Sequence, residues 1–363
     1  MQASPSRHNN KNPVRPMRIH SLIHRARALR VPSTLALAVA ALLLAGCGNL
    51  PYRVAGNQLM SFGKKEMAPY LMTYDDVPML CGTAESLTPL LMTFEAVGTN
   101  PDQMAVLVYM GAALCAETQA FEHEMRYLRA LRGERFEEAK DARIAQKRAH
   151  ALAAKRQQVS YQRFLSYYGD LPPGKCSKKL KTDIDELIYL LGMVSGVKAL
   201  LNDVQSDLAV NVDKDIAPKI LYWTQCLDSA KWWELPSGMR STVWNFVPML
   251  APEGATPMDD LTKVAKVGEK AGVRLAYAIW ALSAYGNGDM AMTRRSIREF
   301  RAAAEARPVD RRYLILDAVA TEIILGISDR MWTEATGMRT PPGKLGSFWD
   351  DQPKSAGNID DLL

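Results

Sequence analysis

The residues of this chain that could perform chemistry are few, and the cysteines are the first of them. Besides Cys47 near the N-terminus, the chain contains Cys81, Cys115, Cys176 and Cys226, and no two of these have the C-x-x-C spacing. In an oxidising compartment four thiols can form up to two disulfides, in any of three pairings. Alternatively, Cys115 is a reduced thiol that packs on an apolar helix face as a small hydrophobic side chain.

Metal and nucleotide sites have little support in the sequence. Glu122, His123 and Glu124 are adjacent, but consecutive side chains on a helix point about 100° apart and do not converge on one ion. After Cys47 the histidines are His123 and His150, too few for a zinc site with such scattered thiols. The motifs G-x-S-x-G, H-E-x-x-H, G-x-x-x-x-G-K-[ST] and G-x-G-x-x-G are absent. We expect no metal and no cofactor.

Carboxylate catalysis is the enzymatic alternative. Glu85 and Ser86, early in a predicted helix, resemble the catalytic Glu-Ser pair of lytic transglycosylases, which would make the chain a glycan hydrolase or lyase acting on the cell wall. The other motifs of that family, notably Gly-Leu-Met-Gln, are missing. A glutamate in the first turn of a helix is explained by its interaction with the helix dipole. We therefore expect a protein that is not an enzyme.

Four of the seven tryptophans are concentrated in one segment, as Trp223, Trp232, Trp233 and Trp244. Large aromatic rings build hydrophobic cores, and their N–H groups also serve ligand or partner sites. The core interpretation is favoured. Because adjacent residues cannot both face one core, Trp232 and Trp233 are the best candidates for an exposed aromatic site that binds a ligand or partner.

The net charge belongs to the N-terminal segment. The chain has 45 Lys and Arg against 39 Asp and Glu, a formal charge of +6. Residues 1–46 contain seven of the basic residues and no acidic one, so the rest of the chain has 38 basic and 39 acidic groups. A nearly neutral body is not a strongly basic nucleic-acid binder, and no nucleic-acid partner is expected.

Residues 1–46 have the organisation of a bacterial lipoprotein signal peptide. A basic stretch, Arg18 to Arg30, precedes ten apolar residues, Leu35 to Leu44, a run too short to span a bilayer. The sequence Leu44-Ala45-Gly46-Cys47 follows and resembles the lipobox, in which the cysteine is acylated before cleavage. The resemblance implies that Cys47 is lipidated and that the mature chain is held on a membrane by its N-terminus.

The same segment predicts the location of the protein. Gly48 stands where an aspartate would indicate inner-membrane retention, which favours an outer-membrane lipoprotein facing the periplasm. Translation from Met1 and from Met17 are both compatible with the signal. We expect an anchor and tether at 47–80, a helical domain at 81–330 and an extended C-terminal tail at 331–363.

The domain is predicted to be all-α. Thr88-Pro89 and Asn100-Pro101-Asp102 each place a capping residue before a proline and predict two helix starts. The second helix should end at Gly133 and has an apolar stripe, predicted to be core, formed by Leu107, Met110, Leu114, Phe121, Met125 and Leu128. Residues 134–157 combine many charges with alanines, which predicts a long helix, continuing to about Tyr168, that is largely exposed or serves as a partner-facing arm.

Two signals define the next helix. Thr182-Asp183-Ile184-Asp185 resembles a capping box, with aspartate in place of glutamate. Gly192 and Gly196 lie four residues apart, a spacing that lets another helix approach closely.

The C-terminal half contains a recognisable helix pair. Residues 271–285 and 290–304 are predicted helices around the turn Gly286-Asn287-Gly288-Asp289, and Pro308 follows. Helix, Gly-Asp turn, helix with a buried aromatic and proline resembles a tetratricopeptide repeat.

The organisation as a whole resembles the lipoprotein T component of tripartite ATP-independent periplasmic (TRAP) transporters, which is TatT-like. The likeness covers most of residues 84–330, including LTPLLMTFEAVGTNPDQMAVLVYMGAALCAE and GDMAMTRRSIREFRAAAEARP. It implies an irregular tetratricopeptide-like solenoid that binds a periplasmic solute-binding protein, can form a homo-oligomer and has an aromatic cavity for a small hydrophobic ligand. We expect a membrane-anchored scaffold of this kind.

Overall fold

The computed structural model describes residues 48–351, and every regular element in that part of the chain is a helix. This confirms the predicted all-α class. The helices in chain order are α1 (Leu50–Phe62), α2 (Ala68–Met72), α3 (Val77–Thr93), α4 (Asp102–Arg132), α5 (Phe136–Tyr168), α6 (Asp183–Gln205), α7 (Ile216–Trp223), α8 (Leu235–Phe246), α9 (Pro257–Ala271), α10 (Leu275–Gly286), α11 (Met290–Ala306) and α12 (Leu314–Thr336). A π-helical turn, Gly63–Met67, joins α1 to α2.

Side-chain caps fix several of the predicted helix starts. Before α4, the Asn100 Oδ1 accepts a hydrogen bond of 2.8 Å from the Asp102 N–H, and the helix ends at Gly133 as predicted. The capping box of α6 is confirmed, since Thr182 and Asp185 each accept from the backbone N–H of the other.

The predicted start at Thr88-Pro89 is wrong. The helix begins earlier, where the Asp76 carboxylate accepts from the Met79 N–H at 2.8 Å and Pro78 occupies the first turn. Pro89 lies inside α3, where it removes one backbone donor. The Thr88 hydroxyl donates to the Ala84 carbonyl at 2.6 Å, so the capping signal of that residue is satisfied within the helix.

The predicted tether at 47–80 also differs from the structure, because α1 and α2 pack against the body. A Cβ on Gly56 would lie 2.4 Å from the Thr99 Oγ1, and one on Gly63 would lie 3.2 Å from the Met104 Cε. Lys64 forms an ion pair with the buried Asp185 at the start of α6. Gly56 thus lets α1 pack against the segment before α4, and Gly63 lets the π-helical turn pack against α4.

Small residues form the contact between α4 and α5. On α4 the fully buried side chains include Ala105, Ala113, Ala116 and Ala120, whereas most of the predicted stripe, such as Leu107, is only half buried. On α5 the alanines are buried in the same way, as Ala139, Ala142, Ala149, Ala153 and Ala154. The extent of α5 agrees with the prediction, but the helix is not largely exposed.

The close approach predicted from Gly192 and Gly196 is confirmed. A Cβ on Gly192 would lie 2.5 Å from the Phe164 ring, and one on Gly196 would lie 2.7 Å from the Tyr161 ring, both on α5. The main core continues from this contact through α7 to α12.

The C-terminal region is longer and better packed than predicted. The helix α12 continues to Thr336, past the expected boundary at 330. Residues 337–351 contain no helix, yet Phe348 is only 4% exposed and lies 4.7 Å from the Arg294 guanidinium. Arg294 also forms an ion pair of 2.9 Å with Asp350. This part of the tail is therefore held on α11, and the rest lies outside the described residues.

Of the described helices, α4 has the length and composition that could cross a membrane, but half of its apolar window is buried inside the protein. That burial, together with the contacts to α5, is the property of a core helix.

We expect Gly192→Ala to lower the free energy of unfolding by about 1–3 kcal/mol, because the new methyl group overlaps the Phe164 ring in a packed contact. The matched control is Gly82→Ala in α3, where no atom lies within 4 Å of the added Cβ. This control should raise stability by up to about 1 kcal/mol, through helix propensity. Urea unfolding measures both; equal effects would contradict the close helix contact.

Candidate functional site

The structure does not bring the four tryptophans together around one cavity. Trp223 is part of the main core, where its ring centroid lies 5.6 Å from that of Phe164 and its indole N–H donates to the Leu171 carbonyl at 2.9 Å. The core interpretation therefore describes Trp223 fully.

The expectation of an exposed Trp232 and Trp233 is wrong. Trp232 is 2% exposed and its N–H donates to the Glu186 Oε2 at 2.8 Å, while Trp233 is half buried against the Tyr313 ring at 4.6 Å. Trp233 and Glu234 have φ angles of 52° and 61°, so the chain is not a regular helix or strand here. This left-handed turn lets two adjacent rings face the protein, whereas a regular helix or strand would point them in different directions.

Trp244 lines a groove between α8 and α9 with a volume of about 340 Å³. The lining residues are Glu234, Ser237, Arg240, Ser241, Trp244, Asp260, Lys263, Val264 and Val267. The groove thus joins one half-buried indole to both acidic and basic groups, which suits a small ligand with an apolar body and polar ends.

Arg240 is the unusual residue of this groove. Its Nη1 donates to the Thr224 Oγ1 at 3.2 Å and its Nη2 to the Ser237 Oγ at 3.0 Å, and no described carboxylate lies within 4.0 Å of it. Burial lowers the pKa of the Arg240 guanidinium, against the attraction of Glu234. A half-buried guanidinium beside an indole can bind the carboxylate or carbonyl group of a ligand.

A second groove, of about 430 Å³, lies where α4 ends and α5 begins. It is lined by Glu122, His123, Arg126, Arg129, Arg135 and Glu138. Both Arg126 and Arg135 form ion pairs with Glu138, at 3.1 and 2.8 Å, so much of the charge is neutralised within the groove.

The cluster at 122–124 does not assemble a metal site. Glu122 forms an ion pair with Arg339 at 2.6 Å, and Glu124 forms a separate one with Arg330 at 2.7 Å. The two carboxylates are thus held by different arginines, while His123 lines the groove. Among the described residues no group of three His, Cys, Asp or Glu side chains is arranged to hold a metal ion.

Glu85, the candidate for carboxylate catalysis, is paired with a cation. The Arg156 guanidinium on α5 contacts the Glu85 carboxylate and also donates to the Ala112 carbonyl at 2.6 Å. This arrangement connects α3, α4 and α5. The Glu85 carboxylate therefore takes part in a contact between three helices.

A polar network that sequence reasoning missed lies between α4, α5 and α6. The Glu117 carboxylate accepts from Lys198 at 2.7 Å, from Asn202 at 2.7 Å and from Gln157 at 2.9 Å. The His150 Nδ1 lies 2.7 Å from the Asn202 Oδ1. These residues come from three helices that are far apart in sequence. The partial signal is the helical spacing of Lys198 with Asn202 and of His150 with Gln157, which places each pair on one helix face.

Burial and partners shift the pKa values of this network in opposite ways. Burial would raise the pKa of the Glu117 carboxyl, but the attraction and hydrogen bond of Lys198, with the amides of Asn202 and Gln157, outweigh it and lower the pKa. Burial lowers the pKa of His150 below its usual 6.5, even though Asn202 and the nearby Glu124 and Glu117 favour the charged imidazole.

The four cysteines after Cys47 form two disulfides. Cys81 on α3 is bonded to Cys115 on α4, and Cys176 is bonded to Cys226, across 34 and 50 residues of sequence respectively. The structure therefore selects one of the three pairings and leaves Cys115 without a reduced thiol. The lipidation predicted at Cys47 lies outside the described residues.

No known family model matches the chain, and no curated protein or solved structure is detectably similar to it.

We expect His150 to make the protein less stable in acid. The unfolded chain takes up a proton near pH 6.5, whereas the folded chain, with the lower pKa, does not, so stability falls as the pH drops below 6.5. His150→Gln, which can still pair with Asn202, should reduce the loss of stability between about pH 8 and about pH 5. Urea unfolding across this range, with His123→Gln as the control, measures it; equal reductions in both variants would contradict the argument.

Proposed function

We propose that this chain is an outer-membrane lipoprotein, anchored through an acylated Cys47, whose helical body binds a periplasmic partner protein and does not act as an enzyme. The disulfides Cys81–Cys115 and Cys176–Cys226 support export, because such bonds persist in oxidising compartments. The lipobox and the near-neutral body are consistent with the same destination.

The body is proposed to be an irregular tetratricopeptide-like solenoid. Two antiparallel helix pairs support this, α4 with α5 and α10 with α11, each joined by a short turn. Repeated helix pairs present extended surfaces to other proteins.

The observation that carries the proposal of partner binding is the loop that follows α6, residues 206–212. Asp207, Leu208 and Asn211 have φ angles of 61°, 61° and 58°, a left-handed conformation that costs a residue with a side chain about 1–2 kcal/mol. The buried Asp203 carboxylate holds this conformation, because it accepts from the N–H groups of Val210 and Val212, both at 2.8 Å.

This loop holds apolar side chains in solvent. Leu208 is 51% exposed, and the neighbouring Val204 and Leu201 on α6 are exposed as well. Lys147 on α5 forms an ion pair with Asp207, which joins the loop to the adjacent helix. A strained, well-supported loop that exposes apolar groups is typical of a binding surface.

The resemblance to the T component of TRAP transporters suggests that the partner is a periplasmic solute-binding protein. A partner of this class would give the chain a role in solute transport. The α8–α9 groove with Arg240 and Trp244 is the proposed site for a small hydrophobic ligand that carries an acceptor group.

We expect a photo-cross-linking amino acid at position 208 to capture one dominant periplasmic protein in intact cells. The matched control is position 90 on α3, where Leu90 is 54% exposed. Because apolar anchors dominate protein interfaces, capture at 208 should exceed that at 90 by about ten-fold. Mass spectrometry identifies the captured protein, and a second copy of this chain would indicate a homo-oligomer.

Leu208→Asn separates binding from folding. Asparagine tolerates the left-handed conformation, so the variant should unfold at an unchanged or higher urea concentration while capture of the partner, with the cross-linker moved to Val204, is lost. Equal capture at 208 and 90, or full capture by the asparagine variant, would contradict the proposed surface.

We expect Cys47→Ser to move the protein from the membrane fraction to the soluble periplasmic fraction, because the acyl chains would be lost. The folded body should be unaffected, with both disulfides intact by non-reducing peptide mapping. A serine variant that stays in the outer-membrane fraction as fully as the parent would contradict anchoring by acylation.

A further inference from the structure

The first helices of the body expose an unusual amount of apolar surface. Between Leu50 and Tyr70 there are eight large apolar side chains, and six of them are exposed. They are Leu50, Tyr52, Val54, Leu59, Phe62 and Tyr70. Such a concentration on a folded protein indicates a surface that is covered in its working state.

The helical spacing puts much of this surface on one face of α1. With about 100° between consecutive residues, Leu50, Val54 and Phe62 lie within one third of the helix circumference. Gly56 lies on the opposite face and packs against Thr99, and Gly63, the first residue of the π-helical turn, packs against Met104 of α4. One side of α1 is therefore fixed to the body, and the other is an apolar strip in solvent.

Basic groups accompany the apolar strip. Arg53 and Lys65 are exposed, and Glu66 is the acidic residue between Leu50 and Tyr70. Lys64 is held by Asp185 and turned towards the body. A helix with an apolar face and basic groups beside it is suited to the region where lipid headgroups meet acyl chains.

We infer that α1 lies in the interface of the membrane that holds the anchor, with Leu50, Val54 and Phe62 among the acyl chains and Lys65 and Arg53 near lipid phosphates. This inference rests on the proposed acylation of Cys47. Two residues, Gly48 and Asn49, separate Cys47 from Leu50, so the chain keeps the start of the helix within roughly 10 Å of the acylated residue.

The short distance between Cys47 and α1 favours phospholipid as the molecule that covers the apolar strip. A helix of 13 residues is about 20 Å long and lies flat at the depth of about 5–10 Å that interfacial helices reach. A protein partner on the same strip would have to fit between α1 and the bilayer to which its neighbour Cys47 is bound. Because Gly56 and Gly63 hold α1 and the turn after it against Thr99 and Met104, the membrane would then hold the body in one orientation.

The test places a benzophenone amino acid at position 62 of the full chain expressed in cells, with the same substitution at position 136 as the matched control. Phe62 is 56% exposed and Phe136 is 58% exposed. Phe136 follows the far end of α4, roughly 40 Å along that helix from Met104, which the π-helical turn after α1 contacts. After irradiation, mass spectrometry of the tryptic peptides 54–64 and 136–140 measures phospholipid adducts, and that of the N-terminal peptide measures acylation of Cys47.

The expected result is about ten-fold more phospholipid adduct at 62 than at 136, and the same enrichment with the cross-linker at Val54 should a substitution at 62 prevent folding. An acylated chain with equal adducts at both sites, or with protein adducts at 62 from a partner or a second copy, overturns the inference and leaves the proposed anchoring intact. A chain without acyl groups on Cys47 overturns both.

Discussion

The close packing of α4, α5 and α6 through residues without bulky side chains is the constraint on which the rest of the structure depends. Alanines line the contact between α4 and α5, and Gly192 and Gly196 let α6 approach the aromatic rings of α5. Gly111 makes the same kind of contact with Ala84 of α3. At such short distances there is no space for side chains to rearrange, so each helix fixes the position of the next.

The same short distances explain the polar network at the centre of these helices. Glu117, Lys198 and Asn202 come from helices that are close enough for direct hydrogen bonds, and a buried carboxylate requires all of its partners. The network thus adds directional contacts to the packing of small residues, and both favour the same register of these helices. The Cys81–Cys115 disulfide fixes the register of α3 in the same way.

The sequence predicts those features that depend on neighbouring residues. Caps such as Thr182 with Asp185, and the glycine spacing of α6, depend on local geometry, and the structure agrees with them. Features set by distant contacts were not predictable. The segment predicted as a tether contains two packed helices, because Gly56 meets Thr99. The alanines of α5 are buried because α4 covers them. A hydrophobicity pattern underestimates the burial of alanine side chains, because their burial depends on how closely a neighbouring helix approaches.

The sequence predicted which residue types could form the candidate site, but it did not predict which of these residues lie together in the structure. Trp232 and Trp233 both face the protein because of a left-handed turn that no periodicity indicates, and Trp244 lines the α8–α9 groove without them. The loop after α6 contains no glycine that would indicate its left-handed conformation. The Asp203 carboxylate stabilises this conformation through its hydrogen bonds. Long-range hydrogen bonds of this kind leave no local pattern in a single sequence.

The Cys81–Cys115 bond has a mechanical consequence. When a chain is pulled from its N-terminal end, helices detach in sequence order until tension reaches a covalent cross-link. Here α1 and α2 precede the first cross-link, and α3 is bonded to α4 through Cys81. The segment between Cys47 and Cys81 can therefore extend to roughly 110 Å under load, while the disulfide transmits the remaining tension directly to α4. Residues 81–115 remain covalently closed under such a load, while the residues before them can be extended.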